Sequence, residues 1–515
     1  MKKNLAAFLS LIFMFSIVLL AIIFLSIFVD ANFLYTLITF EILALIMAFL
    51  VGMQQKRRLD VKIRWTLFLI FVPVIGVFSY IFFGRQYKYS VDDKYKYVNF
   101  KYDIIEKQKQ MVAKSSEILA TNPEFKRSFL IANNEQGDLP YTKSKVDLQF
   151  NASQAWINIF RDLDQAQNYI LINYYIIEDG ELFRNLTKLL IKKAQSGVQV
   201  YLIFDFIGSY GKFTYKEQVR LTRAGVHLTA YSKLLLPFLS WKANYRTHRK
   251  DIVIDGKIGY YGGSNISDQY VNRTAEYGFW HDEQVRLVGD AVGGLEKIFV
   301  SDWAYCTGKD LAAEVSGLGV ETKVTTPFSE SEQSIIVQVV ACGPNHSSSS
   351  HLDILLNLIA SAQKRIWLST PYFVPPNELI VELASAAKSG IDVRLVLPGM
   401  TDKFLLLDVS KKHTDLLFDS GVKIYTMNNV FNHTKAYLID DEMSFVGSTN
   451  LDYRALFSDQ QTMGLVYSRE FNQQLSHRFE WDFQVSKKYS QKPSREHNFL
   501  IRGMILLVNW AAPLL

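Results

Sequence analysis

Two distant stretches of this chain carry one pattern. His248–Asn265 reads HRKDIVIDGKIGYYGGSN, and His433–Asn450 reads HTKAYLIDDEMSFVGSTN. In each copy a Lys follows the His by two residues (Lys250, Lys435), an Asp by seven (Asp255, Asp440) and an Asn by seventeen (Asn265, Asn450). The chain holds 9 His in 515 residues, so two of them in matched patterns point to a duplication. Residues i and i+2 of a strand share a face, so each His projects beside its Lys. The alternating runs DIVID and AYLID predict strands. GGSN and GSTN predict tight turns that bring backbone and Asn close to a ligand.

The repeat extends upstream. AQNYILINYYIIEDGELFRNLTKLLIKKAQSGVQVYLIFD, from Ala166 to Asp205, parallels AQKRIWLSTPYFVPPNELIVELASAAKSGIDVRLVLP, from Ala362 to Pro398. Each reads as apolar strand, loop, amphipathic helix, Gly turn and apolar strand. That order predicts an α/β chain of βαβ units, with a parallel or mixed sheet flanked by helices in each half. A duplicated unit donating one His apiece predicts a pseudo-twofold pair with the site on the shared face.

The residue types suit a phosphodiester. Two Lys ammonium groups and two Asn amides can hold the non-bridging oxygens and the charge that develops on them. One imidazole can attack phosphorus to give a covalent intermediate. A second can protonate the departing alkoxide and then deprotonate the incoming hydroxyl. His titrates near neutrality, so one ring can be neutral while the other is protonated.

The first 84 residues predict a membrane region. Apolar runs at 5–29, 33–53 and 65–83 are each long enough to cross a bilayer, the third interrupted by Pro73 and Gly76. A re-entrant or interfacial helix is the alternative for the third run. Lys2 and Lys3 precede the first run, and Lys56, Arg57, Arg58, Lys62 and Arg64 fill the second loop, which places both on the cytoplasmic side. Three crossings then put the catalytic part outside the cytoplasm, in a multi-pass protein of the cell membrane, whereas Arg85, Lys88, Lys94 and Lys96 after the third run argue for the opposite side. Residues 85–145 are Tyr/Lys-rich and then helix-like from about Ile104 to Leu119, a connector or lid. The two halves follow at 146–325 and 326–515. The apolar end, Phe499–Leu515, is short for a span and predicts an interfacial or docked helix.

A formal charge of +6 favours an anionic partner such as a phospholipid surface. The basic residues form no nucleic-acid stripe, so no nucleic-acid partner is expected. His346 and His351 fit no ligand spacing, and no metal or other cofactor is expected. Cys306 and Cys342 either pair or sit apart as buried thiols.

The repeated HxKxxxxD motif resembles that of the phospholipase D superfamily. NYRTHRKDIVIDGKIGYYGGSNISDQY, SDWAYCTGKDL, TPYFVPPNEL and the closing Pro-Leu-Leu resemble its bacterial cardiolipin synthase branch. The resemblance runs from the second apolar run to the end of the chain. It implies two phospholipase D-like α/β halves behind N-terminal transmembrane helices. It also implies transfer of a phosphatidyl group between two phosphatidylglycerols with release of glycerol, on a membrane rich in anionic lipids and without metal or nucleotide. Carried onto this chain, His248 is the nucleophile and His433 the general acid and base, with exchange of the two roles left open. Lys250, Lys435, Asn265 and Asn450 would bind the phosphoryl oxygens. Asp255 and Asp440 would complete the catalytic set by orienting the motif or packing beneath it. Three positions depart from the family: Gly263 where Ser is usual, Gln461 where Glu is usual, and Asn173 where an acid is common. These put the acceptor in question more than the reaction type. Water as acceptor would make the chain a membrane-bound phospholipase D; a nuclease and a catalytically dead scaffold are the remaining readings. A homo-oligomer is compatible with all of them.

Overall fold

The computed structural model describes residues 33–54, 57–84, 112–233, 245–274, 278–315, 318, 335–344, 349–403, 405–490 and 499–512. The expected first span (5–29), the start of the connector (85–111), His346 and the expected boundary between the halves (325/326) lie outside the described residues. The chain divides into two compact units. One holds the N-terminal helices and Trp510, and the other holds both halves of the repeat.

In the larger unit the first half supplies β1 (Ser144–Gln149), β2 (Tyr169–Tyr174), β3 (Gln199–Asp205), β4 (His227–Tyr231), β5 (Lys250–Ile254), β6 (Ile258–Gly262), β7 (Phe279–His281) and β8 (Gln284–Gly289). The second supplies β9 (Ile336–Cys342), β10 (Arg365–Ser369), β11 (Phe373–Val374), β12 (Asp392–Pro398), β13 (Lys423–Met427), β14 (Val430–Asn432), β15 (Ala436–Ile439), β16 (Met443–Gly447), β17 (Leu451–Asp452), β18 (Gln461–Tyr467) and β19 (Ser486–Lys488). A seven-stranded sheet runs β1-β8-β6-β5-β2-β3-β4, and an eight-stranded sheet runs β19-β13-β12-β10-β15-β16-β18-β9. Read from β4 and from β13 the two orders correspond strand for strand.

Connection length explains why both sheets are mixed. β2 reaches β3 through helix Glu181–Gln195, and β10 reaches β12 through helix Asn377–Lys388, so these pairs are parallel. β5 and β6 are joined by a turn in which Asp255 and Gly256 both take positive φ, so that pair is antiparallel.

Every residue of β2 is buried, as a strand covered on both faces must be. Ile170 and Ile172 point outward into a core shared with helices Ala152–Asp164 and Glu181–Gln195. Leu171 points inward. The inward faces of both sheets, with helices Val292–Thr307 and Arg469–Gln484, share one core that includes Leu171, Val253, Tyr261, Trp367, Leu438 and Val446. The second half's outer core also takes in Leu119, Phe125, Phe129 and Ala132, beside Ile336 and Val340 of β9. The later part of the connector is therefore packed into that half. Cys306 and Cys342 are free thiols.

In the smaller unit, helix Phe33–Gly52 is long and apolar enough to cross a bilayer, at about 1.5 Å of rise per residue. Ile38, Ile42, Leu45, Ile46 and Phe49 are exposed on it. The third apolar run is a hairpin rather than the continuous span expected over 65–83. Helix Leu59–Phe71 stops at Val72, and Pro73 opens a new helix, Pro73–Ser79. Pro73 has no N–H to continue the ladder, and its ring drives Val72 out of helical geometry, to φ −136°. The chain then returns. Arg57 Nη2 donates to the Gly84 carbonyl at 2.7 Å, and Gln54 Nε2 to the Tyr80 hydroxyl at 3.1 Å. Trp510 stacks edge-on against Phe68 at 5.5 Å, and its carbonyl accepts from Arg64 at 2.5 Å.

Candidate active site

Each motif His is supplied by one half and held by the other. The His248 N–H donates to the Gln460 carbonyl at 2.8 Å, and the Gln460 N–H donates back to Arg246 at 2.8 Å. The His433 N–H donates to the His281 carbonyl at 2.7 Å, where β14 runs parallel to β7. The rings follow the same exchange. His248 Nδ1 lies 3.0 Å from Gln461 Oε1, and His433 Nδ1 lies 2.7 Å from Asp282 Oδ2. With Nδ1 engaged on each ring, Nε2 is left for phosphorus or for a proton.

The two Lys stand behind the rings. Lys250 is fully buried, its Nζ donating to the His248 carbonyl at 2.5 Å. Lys435 donates to the His433 carbonyl and also approaches His433 Nδ1 at 2.7 Å. Burial pushes Lys435 down to about 8, and burial followed by the Lys435 charge pushes Lys250 well below the usual lysine range. Burial, Lys250 and Lys435 hold the His248 imidazole low, and the His433 charge adds to this. Burial, Lys435 and Lys250 do the same to His433, while Asp402 opposes them. Four cationic or potentially cationic groups from two halves thus act on one another, an arrangement that an anion in their midst would relieve.

Aromatic rings wall each His. Tyr175 packs edge-on against His248 at 4.9 Å and lies 5.6 Å from Lys250 Nζ. Burial lifts the Tyr175 phenol to about 12, so it stays neutral. Tyr270, Trp280 and Phe431 surround His433 at 5.4, 5.2 and 5.5 Å between ring centres.

The sequence-predicted residues separate into two groups. His248, Lys250, His433 and Lys435 meet. Asn265 lies beside them, its Oδ1 accepting from the Ile176 N–H at 3.2 Å and its Nδ2 donating to the Tyr270 hydroxyl at 2.6 Å. Asn450 is buried, and its Oδ1 has no partner. Asp255 and Asp440 lie elsewhere. Each follows its Lys by five residues along an extended strand, a separation of about 16 Å. The Asp255 carboxylate accepts the N–H groups of Gln167, Asn168 and Tyr169 at 2.8, 2.7 and 2.8 Å. Asp440 accepts those of Gln363, Lys364 and Arg365 at 2.8, 2.7 and 3.0 Å. Both take positive φ, which Asp tolerates. Both Asp thus anchor the start of β2 and β10, in keeping with an orienting or packing part and away from either His.

Asp282 and Arg249 were not singled out from sequence. Asp282 lies 17 residues after Asn265, whereas Gln461 lies 11 after Asn450, so spacing hides their equivalence. Arg249, between His248 and Lys250, crosses the seam. It donates to the Gln461 carbonyl at 2.6 Å and to Gln460 Oε1 at 2.8 Å, and pairs with Asp302 at 2.9 Å. Asn173 donates to that same Asp302 at 2.8 Å. His351 spends both ring nitrogens on Thr449 and Val340, at 2.8 and 3.0 Å. Among the described residues no group of three His, Cys, Asp or Glu is placed to hold a metal.

Comparison with known proteins bears on this geometry. The profile of the family described as cardiolipin synthase, PLD-like domain, matches residues 159–303 and 355–483. A phospholipase D-nuclease N-terminal profile matches residues 42–85. The chain is 30% identical over 466 residues to a cardiolipin synthase of Alkalihalophilus pseudofirmus, covering 90% of each. It is 31% identical over 463 residues to one of Geobacillus kaustophilus, again covering 90% of each. The crystal structure of a phosphatidylserine synthase from Haemophilus influenzae shares the fold. Its TM-score is 0.57 at 13% identity, over 76% of this chain and 100% of that one.

Proposed function

As the chain belongs to the phospholipase D-like cardiolipin synthase family, we propose that it is a membrane-bound phosphatidyltransferase. It joins two phosphatidylglycerols into cardiolipin and releases glycerol. The observation that carries this reading is the reciprocal bracing of His248 and His433, each ring fixed at Nδ1 by a side chain of the opposite half.

In the first step His248 Nε2 attacks phosphorus. The bond from phosphorus to the glycerol oxygen breaks, and His433 gives that oxygen its proton. A phosphatidyl-histidine remains. In the second step the hydroxyl of another phosphatidylglycerol gives its proton to His433 and attacks phosphorus. The bond from phosphorus to His248 breaks, and both rings return to their starting states. Lys250 and Lys435 balance the charge that builds on the non-bridging oxygens. Asn450 supplies an amide beside them, and Asn265 holds the Tyr270 side of the site. The apolar helix Phe33–Gly52 supports confinement to the bilayer in which both substrates reside. Three crossings would place the site outside the cytoplasm, whereas a hairpin over residues 59–84 in place of the third crossing returns it to the cytoplasmic side. Protease accessibility in intact cells decides between the two.

Purified protein in detergent with labelled phosphatidylglycerol tests the reaction. Cardiolipin and free glycerol are expected in equal amounts. Phosphatidic acid alone would replace this reading with hydrolysis. His248→Ala and His433→Ala should each abolish transfer, and turnover in either variant would remove that ring from the chemistry.

A further inference from the structure

The two imidazoles are not backed alike. From this we infer that Ser448 and Gln461 form a charge-neutral brace that makes His248 the nucleophile. Gly263 and Asp282 form an anionic brace that makes His433 the proton carrier. The inference rests on the two-histidine reading above and deepens it.

The pairs occupy equivalent positions. Gly263 and Ser448 each follow their His by fifteen residues. Asp282 and Gln461 each follow the residue whose carbonyl takes the opposite His N–H. The members of each pair fit one another. A side-chain carbon at Gly263 would overlap the Asp282 carboxylate. Ser448 Oγ instead donates to Gln461 Oε1 at 2.7 Å while accepting the Thr462 N–H at 2.9 Å. That bond turns the amide oxygen toward His248 Nδ1–H. Gln461 Nε2 is buried without a partner. His248 is also the more open ring, partly exposed where His433 is buried.

The chemistry follows from the charge. A carboxylate at Nδ1 stabilises imidazolium, which suits a ring that must give up and then take back a proton. A nucleophile needs a free Nε2 lone pair, so a neutral acceptor keeps that ring unprotonated. After attack the phosphatidylated ring is cationic. An amide stabilises it less than a carboxylate would, which keeps the bond between nitrogen and phosphorus easy to break. Lys250, Lys435, His433 and the Tyr175 phenol face His248. Asp282, Lys435, Lys250, Asp402, Lys403 and the Tyr270 phenol face His433.

The test follows p-nitrophenol release from phosphatidyl-p-nitrophenol by the full-length protein in detergent. This first half-reaction is common to transfer and hydrolysis, so a wrong acceptor in the proposed function leaves the test intact. Gln461→Glu should move the acidic limb of kcat/KM upward by about one pH unit. It should also raise the fraction of protein trapped as phosphatidyl-histidine. The double variant Ser448→Gly/Gln461→Asp transplants a pair that the fold already accepts, and should do the same if Gln461→Glu fails to fold. Asp282→Asn should slow transfer from phosphatidylglycerol by about 100-fold or more. It should leave p-nitrophenol release within tenfold of the parent, roughly, because that leaving group departs unprotonated. An unmoved acidic limb in whichever position-461 variant folds would overturn the inference. Equal losses on the two substrates in Asp282→Asn would overturn it as well.

Discussion

Gly464 has no room for a methyl group, because a side-chain carbon there would overlap the Tyr261 hydroxyl reaching across from the other sheet. Gly464→Ala should therefore cost about 1–3 kcal/mol in thermal unfolding. The hydroxyl has no hydrogen-bond partner, so Tyr261→Phe should restore much of that loss in the double variant. Asp255 makes a different kind of contribution. Its carboxylate holds three backbone N–H groups, and hydrogen bonds to a charged group contribute about 1.5–3 kcal/mol each. Asp255→Ala should lower the unfolding midpoint clearly, while the kcat of the protein that remains folded changes by less than about threefold. A collapse of kcat at full stability would return Asp255 to the chemistry. Glu283 gives a pH signature. Burial pushes its carboxyl up to about 8, and neither oxygen has a partner. An unfolded Glu titrates near 4.3, roughly, so between that pH and about 8 the folded chain binds the extra proton and stability falls as pH rises. Glu283→Gln removes this term, so its stability advantage should widen from pH 5 to pH 8, about the span of the shift, and then level off. The His and Lys pairs were legible because their steps are identical in both copies. The Asp of the motif was legible as a residue that orients or packs beneath it, but the spacing does not say which backbone N–H groups it holds.

At the scale of elements, the seam is closed by pieces too short to announce themselves. β7 and β14 have three residues each, and they join the halves in parallel. Alternation cannot reveal a three-residue strand, and its partner lies far along the chain. The longer strands and the crossover helices were legible, because both faces of β2 and one face of each helix must be apolar to sit in this sandwich. The break at Pro73 was visible, yet the returning hairpin depends on Arg57 finding the Gly84 carbonyl, which hydropathy does not register. Phe431 in β14 is fully buried and packs on Trp280 at 4.5 Å and on His433 at 5.5 Å. Phe431→Ala should cost about 3–5 kcal/mol and lower kcat more than it raises KM, because the His433 wall collapses. Phe431→Leu should cost less than about 1.5 kcal/mol and keep most activity. Equal effects of the two variants on kcat would mean that the ring does not position His433.

For the molecule as a whole, one inner core ties both sheets together, so the two halves should unfold in a single transition. The site lies on that shared seam, and its buried cations act against the fold that creates it. Burial and the facing Lys435 ammonium disfavour charge on Lys250. Asp282, Asp459 and Asp251 oppose them in part, and a bound anion would relieve the conflict further. Lys250→Met keeps the bulk and deletes the charge. It should raise the unfolding midpoint of the free protein while reducing kcat by about 100-fold or more. Inorganic phosphate should stabilise the parent, by about 2.7 kcal/mol at a hundred times its Kd. Because the core is continuous, the whole transition should shift and not one half of it. In Lys250→Met the phosphate effect should largely vanish, since the repulsion it relieves is already gone. Calorimetry in detergent, with and without phosphate, reads both quantities at once. A parent that unfolds in two steps, with phosphate moving only one of them, would mean that the halves brace each other's histidines without sharing their stability.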